Sequence, residues 1–316
     1  MESSRIVRVG TRASTLARTQ TQLMVDALRL LGHAVEIVTI STQGDVRSDV
    51  PISAIGNDGV FVRELERALL TGAIDAAVHS LKDLPTAETT GLALACVPQR
   101  ASPFDVLVSR DHVLLAALPA GAVVGTSSIR RVAQLQALRS DLIVRDIRGN
   151  VDTRLRLLDA GNYDCLILAG AGLQRLGLAE RITQVLRPDA FWPAIAQGAL
   201  VIQIRNDDPF LHQALKPLDD PTTHLAVWAE RSCLAALAGG CLAPIGAWAQ
   251  KESDGHFELG ACVLDNSGDS VQRLLAKRSS AVSSEQQAVA LGQSVAADLL
   301  DQGAFALLSQ MRSRGL

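Results

Sequence analysis

Lys82 and Asp83 sit in the run HSLKDLP (residues 79–85), directly after IDAAV, which reads as a buried strand. Ligands of open α/β sheets bind beyond the carboxyl ends of strands, so a base and an acid stand where a site would lie. Alone, Lys-Asp-x-Pro is also an ordinary surface turn. GTSSIRR (residues 125–131) follows a second strand and opens a helix. Thr126, Ser127 and Ser128 offer hydroxyls and backbone N–H groups at that helix N-terminus, an arrangement that takes anions. Arg130 and Arg131 fall in the first helical turn, where positive charge is unfavourable unless an anion compensates. RGNVDTR (residues 148–154) repeats the design, with Arg148 and Arg154 flanking a helix start near Asn150 or Asp152.

Seven arginines lie between residues 125 and 156: Arg130, Arg131, Arg139, Arg145, Arg148, Arg154 and Arg156. Only Asp141, Asp146 and Asp152 oppose them there, although the whole chain carries net charge −3. Of its 30 basic residues only Lys82, Lys216, Lys251 and Lys277 are lysines. Planar, permanently charged forks concentrated in a slightly acidic protein suit a pocket for carboxylates or phosphates. A solvated helix face is the plainer alternative.

GGCLAPIG (residues 239–246) sets Cys241 after two glycines, which permits an exposed turn and an accessible thiol. Cys96, Cys165, Cys233 and Cys262 read as small buried hydrophobes. The five cysteines contain no C-x-x-C pair, so neither a disulfide framework nor a zinc site is expected. The six histidines do not cluster, and no metal is predicted. Rossmann and P-loop glycine spacings are also missing.

These residues need a scaffold, and 316 residues suggest two or three domains. A 48% hydrophobic and 20% charged composition is that of a folded globular chain. Aromatics make up 3%, too few for base-stacking platforms, and the acidic balance argues against nucleic acid. The N-terminus lacks an apolar signal core and no window reaches membrane-spanning length, so a cytoplasmic protein without membrane contact is expected.

Hydrophobic spacing predicts strands at residues 5–10, 35–40 and 76–79, with helices at 14–31 and 61–71. Residues 41–59 form a polar, glycine-containing loop with the length of a lid. A second strand–helix alternation runs from 106 to 169, and residues 194–205 read as a strand returning to the first domain. After a linker at 219–223, a helix, three strands and a final helix suit a small α+β module. No internal repeat is visible.

GTRASTLARTQ, GVFVRELERALL, AVHSLKDLPT, GTSSIRR, RGNVDTRL, ILAGAGLQRLGL, PAIAQGAL and GGCLAPIGA follow one another in this order. In this the chain closely resembles the porphobilinogen deaminase (hydroxymethylbilane synthase) family. HSLKDLP together with GGC-x-x-PIG is a highly specific combination. Beyond residue 249 the resemblance rests mainly on length and pattern.

The resemblance implies two α/β domains like those of type II periplasmic binding proteins, with an active-site cleft between them, plus a small C-terminal α+β domain. The boundaries expected here are 1–98 with 195–216, then 99–194, then 221–316. It implies a transferase that condenses four porphobilinogen molecules head to tail onto a covalent dipyrromethane cofactor. Ammonia leaves at each addition, and hydrolysis frees the linear tetrapyrrole. By motif, Cys241 would carry the cofactor through a thioether. Lys82, Thr126, Ser127, Ser128, Arg130, Arg131 and Arg148 would contact it. Arg12, Ser14, Arg154 and Arg175 would hold substrate, and Asp83 would be the catalytic group. A monomer is expected. Every pyrrole carries an acetate and a propionate, which accounts for the arginine bias. The chain departs from the family at Asn57-Asp58-Gly59, where Gly-Lys-Gly is usual, and at Gln203 and Ala196, where Glu and Gly are commoner. A two-lobed anion-binding protein is the main alternative, although it would not need Cys241. A nucleic-acid-binding protein is the weaker one.

Overall fold

The computed structural model describes residues 5–42, 62–237, 243–265 and 271–313. The chain divides into two units, Met1–Arg100 with Ala199–His224, and Ala101–Gly198 with Leu225–Leu316.

The first unit is built on a five-stranded sheet. β1 (Val7–Arg12) runs parallel to β2 (Val35–Ile40) on one side and to β3 (Ala76–Ser80) on the other. β10 (Leu200–Arg205), supplied by the later segment, is antiparallel to β3 and to β4 (Leu92–Cys96), giving the order β2-β1-β3-β10-β4. Strands covered on both faces should read as apolar runs, and β3 and β10 are buried almost throughout. Helix α1 (Thr15–Leu30) starts where Ser14 Oγ accepts from Ala17 N–H at 3.3 Å. It ends at Gly32, whose φ of 87° suits glycine and lets His33 N–H reach Leu28 O at 3.1 Å. Helix α2 (Arg63–Leu70) buries Leu65, Ala68 and Leu69 with Ile74, Ala77 and Leu92.

In the second unit, β6 (Val123–Gly125) lies between parallel β7 (Ile143–Arg145) and β8 (Cys165–Ala169). β5 (Asp105–Ser109) is antiparallel to β8 and to β9 (Gln184–Leu186), in the order β7-β6-β8-β5-β9. Helices α3 (Ile129–Leu138), α4 (Val151–Asp159) and α5 (Gly170–Arg175) follow β6, β7 and β8. The two sheets therefore share one plan, three parallel strands and then an antiparallel one. That repeat is structural and leaves no trace in the sequence.

Two further helices, α6 (Pro209–Leu215) and α7 (Pro221–Ala236), lead to an antiparallel sheet of β11 (Ile245–Lys251), β12 (Phe257–Asp265) and β13 (Gln272–Ser280). Helices α8 (Glu285–Asp301) and α9 (Ala304–Ser313) pack on it. This module groups with the second sheet. Trp192 is buried against it, and the ring and backbone of Trp192 occupy the space that side chains at Gly246 and Gly260 would need.

Several elements differ from the sequence expectation. Strands β4 and β9 and helices α5, α6 and α9 were not anticipated; β9 and α5 are too short to show a period. The run 194–205 is a strand only from Leu200. Before it, Ala196 and Gly198 adopt left-handed conformations, φ 56° and 87°, and make a turn.

Candidate functional site

The candidate residues follow the carboxyl ends of parallel strands, as expected for an open α/β sheet. In the first unit, β1 ends on Arg12, with Ser14 just beyond. β3 ends on Ser80 and passes directly into a 3-10 turn, Leu81–Asp83. Leu81 is fully buried and its N–H donates to Ala199 O at 3.1 Å, which anchors the turn; Lys82 is half-buried and Asp83 exposed. The Ser14 hydroxyl spends one acceptor position on its helix cap.

In the second unit, β6 delivers Thr126, Ser127 and Ser128 to the start of α3. Ser128 is the N-cap residue, and its side chain makes no capping hydrogen bond. The Ser127 hydroxyl bridges to the next strand's exit, donating to Ile147 O at 2.8 Å and accepting from Ile147 N–H at 3.0 Å. Thr126 Oγ1 accepts from Ser128 N–H at 3.3 Å. β7 leads to half-buried Arg148 and to α4, on which Arg154 lies. β8 leads into α5, ending on Arg175.

The anion that compensates Arg130 and Arg131 is internal. Asp105, wholly buried at the head of β5, accepts from Arg130 Nη1 at 2.7 Å and from Arg131 Nε and Nη2 at 3.0 and 2.6 Å. Burial alone would push its pKa up, but the two guanidinium charges outweigh this and hold it well below the usual carboxylate range. Arg130 also donates to Trp192 O, and Arg131 to Ile167 O at 2.8 Å. Gln197 Nε2 adds a third donor to Asp105 at 3.0 Å. Sequence reasoning missed Asp105, Gln197, Trp192 and Gln134, whose Nε2 donates to Trp192 O at 3.0 Å. The one available signal was the acid that opens the apolar strand DVLVS.

Among the described residues Arg154 has no such relief. Its Nε donates to Gly149 O at 2.8 Å, but burial pulls its pKa down to about 10, and the charges of Arg131 and Arg148 pull the same way. Arg175 is brought down to about 10 by burial, with Nη2 on Gly198 O at 2.6 Å. Cationic side chains held in partial burial with no acid among the described residues fit a ligand that brings its own carboxylates. The other arginines of the cluster serve elsewhere. Arg139 pairs with Asp141 and caps carbonyls of Leu115 and Leu118, while Arg145 and Arg156 are exposed.

Cys96, Cys165, Cys233 and Cys262 are buried, and burial pushes each thiol up to about 12. A thiol at that value is inert as a nucleophile near neutral pH. Cys241 and residues 57–59 lie outside the described residues. No group of three or more metal-ligating side chains occurs among the described residues.

Residues 7–213 match a family model described as porphobilinogen deaminase, dipyromethane cofactor binding domain, and residues 224–301 match porphobilinogen deaminase, C-terminal domain. A porphobilinogen deaminase of Acidothermus cellulolyticus is 48% identical over 314 residues, covering 98% of this chain and 93% of the relative. One from Roseiflexus sp. is 46% identical over 303 residues, covering 95% and 98%. Another, from Mycobacterium tuberculosis, is 46% identical over 315 residues, covering 97% and 100%. Among solved structures, the methionine-binding protein MetQ aligns with 71% of this chain and 93% of its own, at 14% identity and a TM-score of 0.43.

Proposed function

The chain belongs to the porphobilinogen deaminase family, and on that premise we propose that it joins four porphobilinogen molecules head to tail on a dipyrromethane held at Cys241. The observation that carries this reading is the half-buried Arg154, repelled by Arg131 and Arg148 and offset by no acid among the described residues. Such a group needs an anionic ligand, and every pyrrole of this chemistry brings two carboxylates. The inert state of the four described cysteines supports Cys241 as the attachment point.

When bound, the dipyrromethane supplies the pyrrole carbon to which the first unit is joined. Arg148 would hold its carboxylates together with whatever N–H groups of Arg130 and Arg131 their bonds to Asp105 leave over, with Lys82 as a point charge and Thr126, Ser127 and Ser128 as polar neighbours. Arg12, Ser14, Arg154 and Arg175 hold the incoming porphobilinogen. Bidentate arginine forks suit the task because they grip carboxylates without titrating. As the aminomethyl C–N bond of porphobilinogen breaks, ammonia leaves with the bonding pair and the pyrrole becomes cationic. Asp83, exposed at the end of β3, stabilises that cation and accepts from pyrrole N–H groups. The protein works as a cytoplasmic monomer in this reading; no helix among the described residues is long and apolar enough to cross a membrane.

Asp83→Asn tests the assignment. The variant should retain its covalent cofactor by mass and release ammonia from porphobilinogen about 10²-fold more slowly or worse. Near-parental turnover would remove Asp83 from the chemistry.

A further inference from the structure

On the face of the first sheet that α2 covers, a chain of polar groups is buried. His79 on β3 is 6% exposed and Gln203 on β10 is 3% exposed. Val201 pairs with His79 across the two strands, so Gln203, two residues on, is the diagonal neighbour of His79 on the same face. Gln203 Nε2 donates to Glu66 Oε1 at 2.9 Å, and Thr89 Oγ1 donates to the same oxygen at 2.9 Å. Two atoms are left over. His79 Nε2 and Gln203 Oε1 are buried, and neither has a well-formed hydrogen bond. Gln203 nevertheless lies close enough to act on the imidazole as a hydrogen-bond partner. A buried acceptor and a ring nitrogen that donates in one tautomer are complementary, and leaving both unmade would be costly.

We propose that His79 is the neutral Nε2–H tautomer, that it donates to Gln203 Oε1, and that this clasp positions the turn carrying Lys82 and Asp83. The register extends directly into that turn. Leu200 pairs with Ser80, and Leu81 N–H then takes Ala199 O. β10 thus fixes the end of β3 twice, through its backbone at Ala199 and through the Gln203 side chain. Among the described residues, the ionisable groups acting on this cluster are Glu66 from α2, through Gln203, and Arg12 from β1. Burial, with a smaller contribution from Arg12, draws the His79 pKa down to about 4 against the opposing pull of Gln203, so the ring stays uncharged near neutral pH. An amide at 203 can donate to Glu66 and accept from His79 at once. A carboxylate there would face Glu66 acid to acid.

The inference rests on the assignment of Asp83 made above, and His79 and Gln203 act through it as positioning residues. Imidazole ¹⁵N spectra of the cofactor-loaded protein test the first half. They should give the Nε2–H tautomer, uncharged down to about pH 5; an Nδ1–H or cationic ring at pH 6 overturns the clasp. His79→Leu and His79→Gln test the second half. His79→Leu should keep the cofactor mass and lose about tenfold in kcat with KM little changed. His79→Gln, which keeps an N–H donor, should recover most of that loss. Equal rates in the two variants, or normal turnover in His79→Leu, overturn it. If His79→Leu does not fold, Gln203→Leu removes the acceptor and must show the same kcat loss. Asp83→Asn run in parallel separates the two readings. If it turns over normally, the Asp83 assignment is what failed, and the tautomer alone decides the clasp.

Discussion

Asp105 and Arg131 are joined by two hydrogen bonds, from Nε at 3.0 Å and Nη2 at 2.6 Å, and Arg130 takes the other carboxylate oxygen at 2.7 Å. One buried acid therefore offsets both arginines that open α3. Asp105→Asn keeps the shape and removes the charge, stranding two guanidinium groups in the interior. Breaking a buried pair from one side costs about 3–5 kcal/mol. Urea unfolding should show that loss, and an unchanged midpoint would mean the pair is not what holds α3 in place.

Arg154 presents the reverse case, because no acid among the described residues balances its burial. Arg154→Met should leave the protein, without bound pyrroles, as stable as the parent or more stable by up to about 1 kcal/mol. The same change should raise the KM for porphobilinogen roughly tenfold, the typical loss of one charge-assisted contact. Thermal unfolding and steady-state kinetics measure the two sides; a lower Tm with an unaltered KM would mark Arg154 as purely structural.

Ala196 is fully buried at φ 56°, with its N–H donating to Glu230 Oε2 at 2.6 Å. An L-residue pays roughly 1 kcal/mol or more for that conformation and glycine does not. Ala196→Gly should raise Tm by about 2–4 °C. A fall in Tm would show that the alanine methyl earns more in packing than it costs in strain.

His79 makes stability depend on pH. Its folded-state pKa, about 4, lies below the ordinary histidine value of 6.5. Between those values the unfolded chain binds a proton that the folded chain does not, so stability falls as pH drops through that window. The full shift amounts to about 3 kcal/mol. Asp75 and Asp105, held low by their arginines, withdraw their contributions only below the ordinary carboxylate range. Unfolding free energies at pH 7 and 4.5 should therefore differ more in the parent than in His79→Gln. Equal slopes would show that another group governs the acid limb.

Local sequence was enough to find the strand exits. HSLKDLP, GTSSIRR and RGNVDTR all leave parallel strands at their carboxyl ends, because an apolar strand followed by a cap is a signal carried within a few residues. The partner of Arg130 and Arg131 was not legible, because Asp105 is 25 residues away and meets them only through sheet pairing. The arginines' place at a helix start suggested an external anion, whereas the fold supplies its own. Gln203 showed the same limit: its substitution was visible in the sequence, while its reach to Glu66 depends on β10 entering the sheet from far along the chain.

The most direct test of the central claim is the intact mass of the purified protein beside a Cys241→Ala control. The account predicts a covalent excess equal to two linked pyrrole units, present in the parent and absent from the control. After incubation with porphobilinogen, the parent should gain further mass in single pyrrole steps. A parent that stays at its polypeptide mass, even after that incubation, would contradict the account and leave a chain that binds anions without building on them.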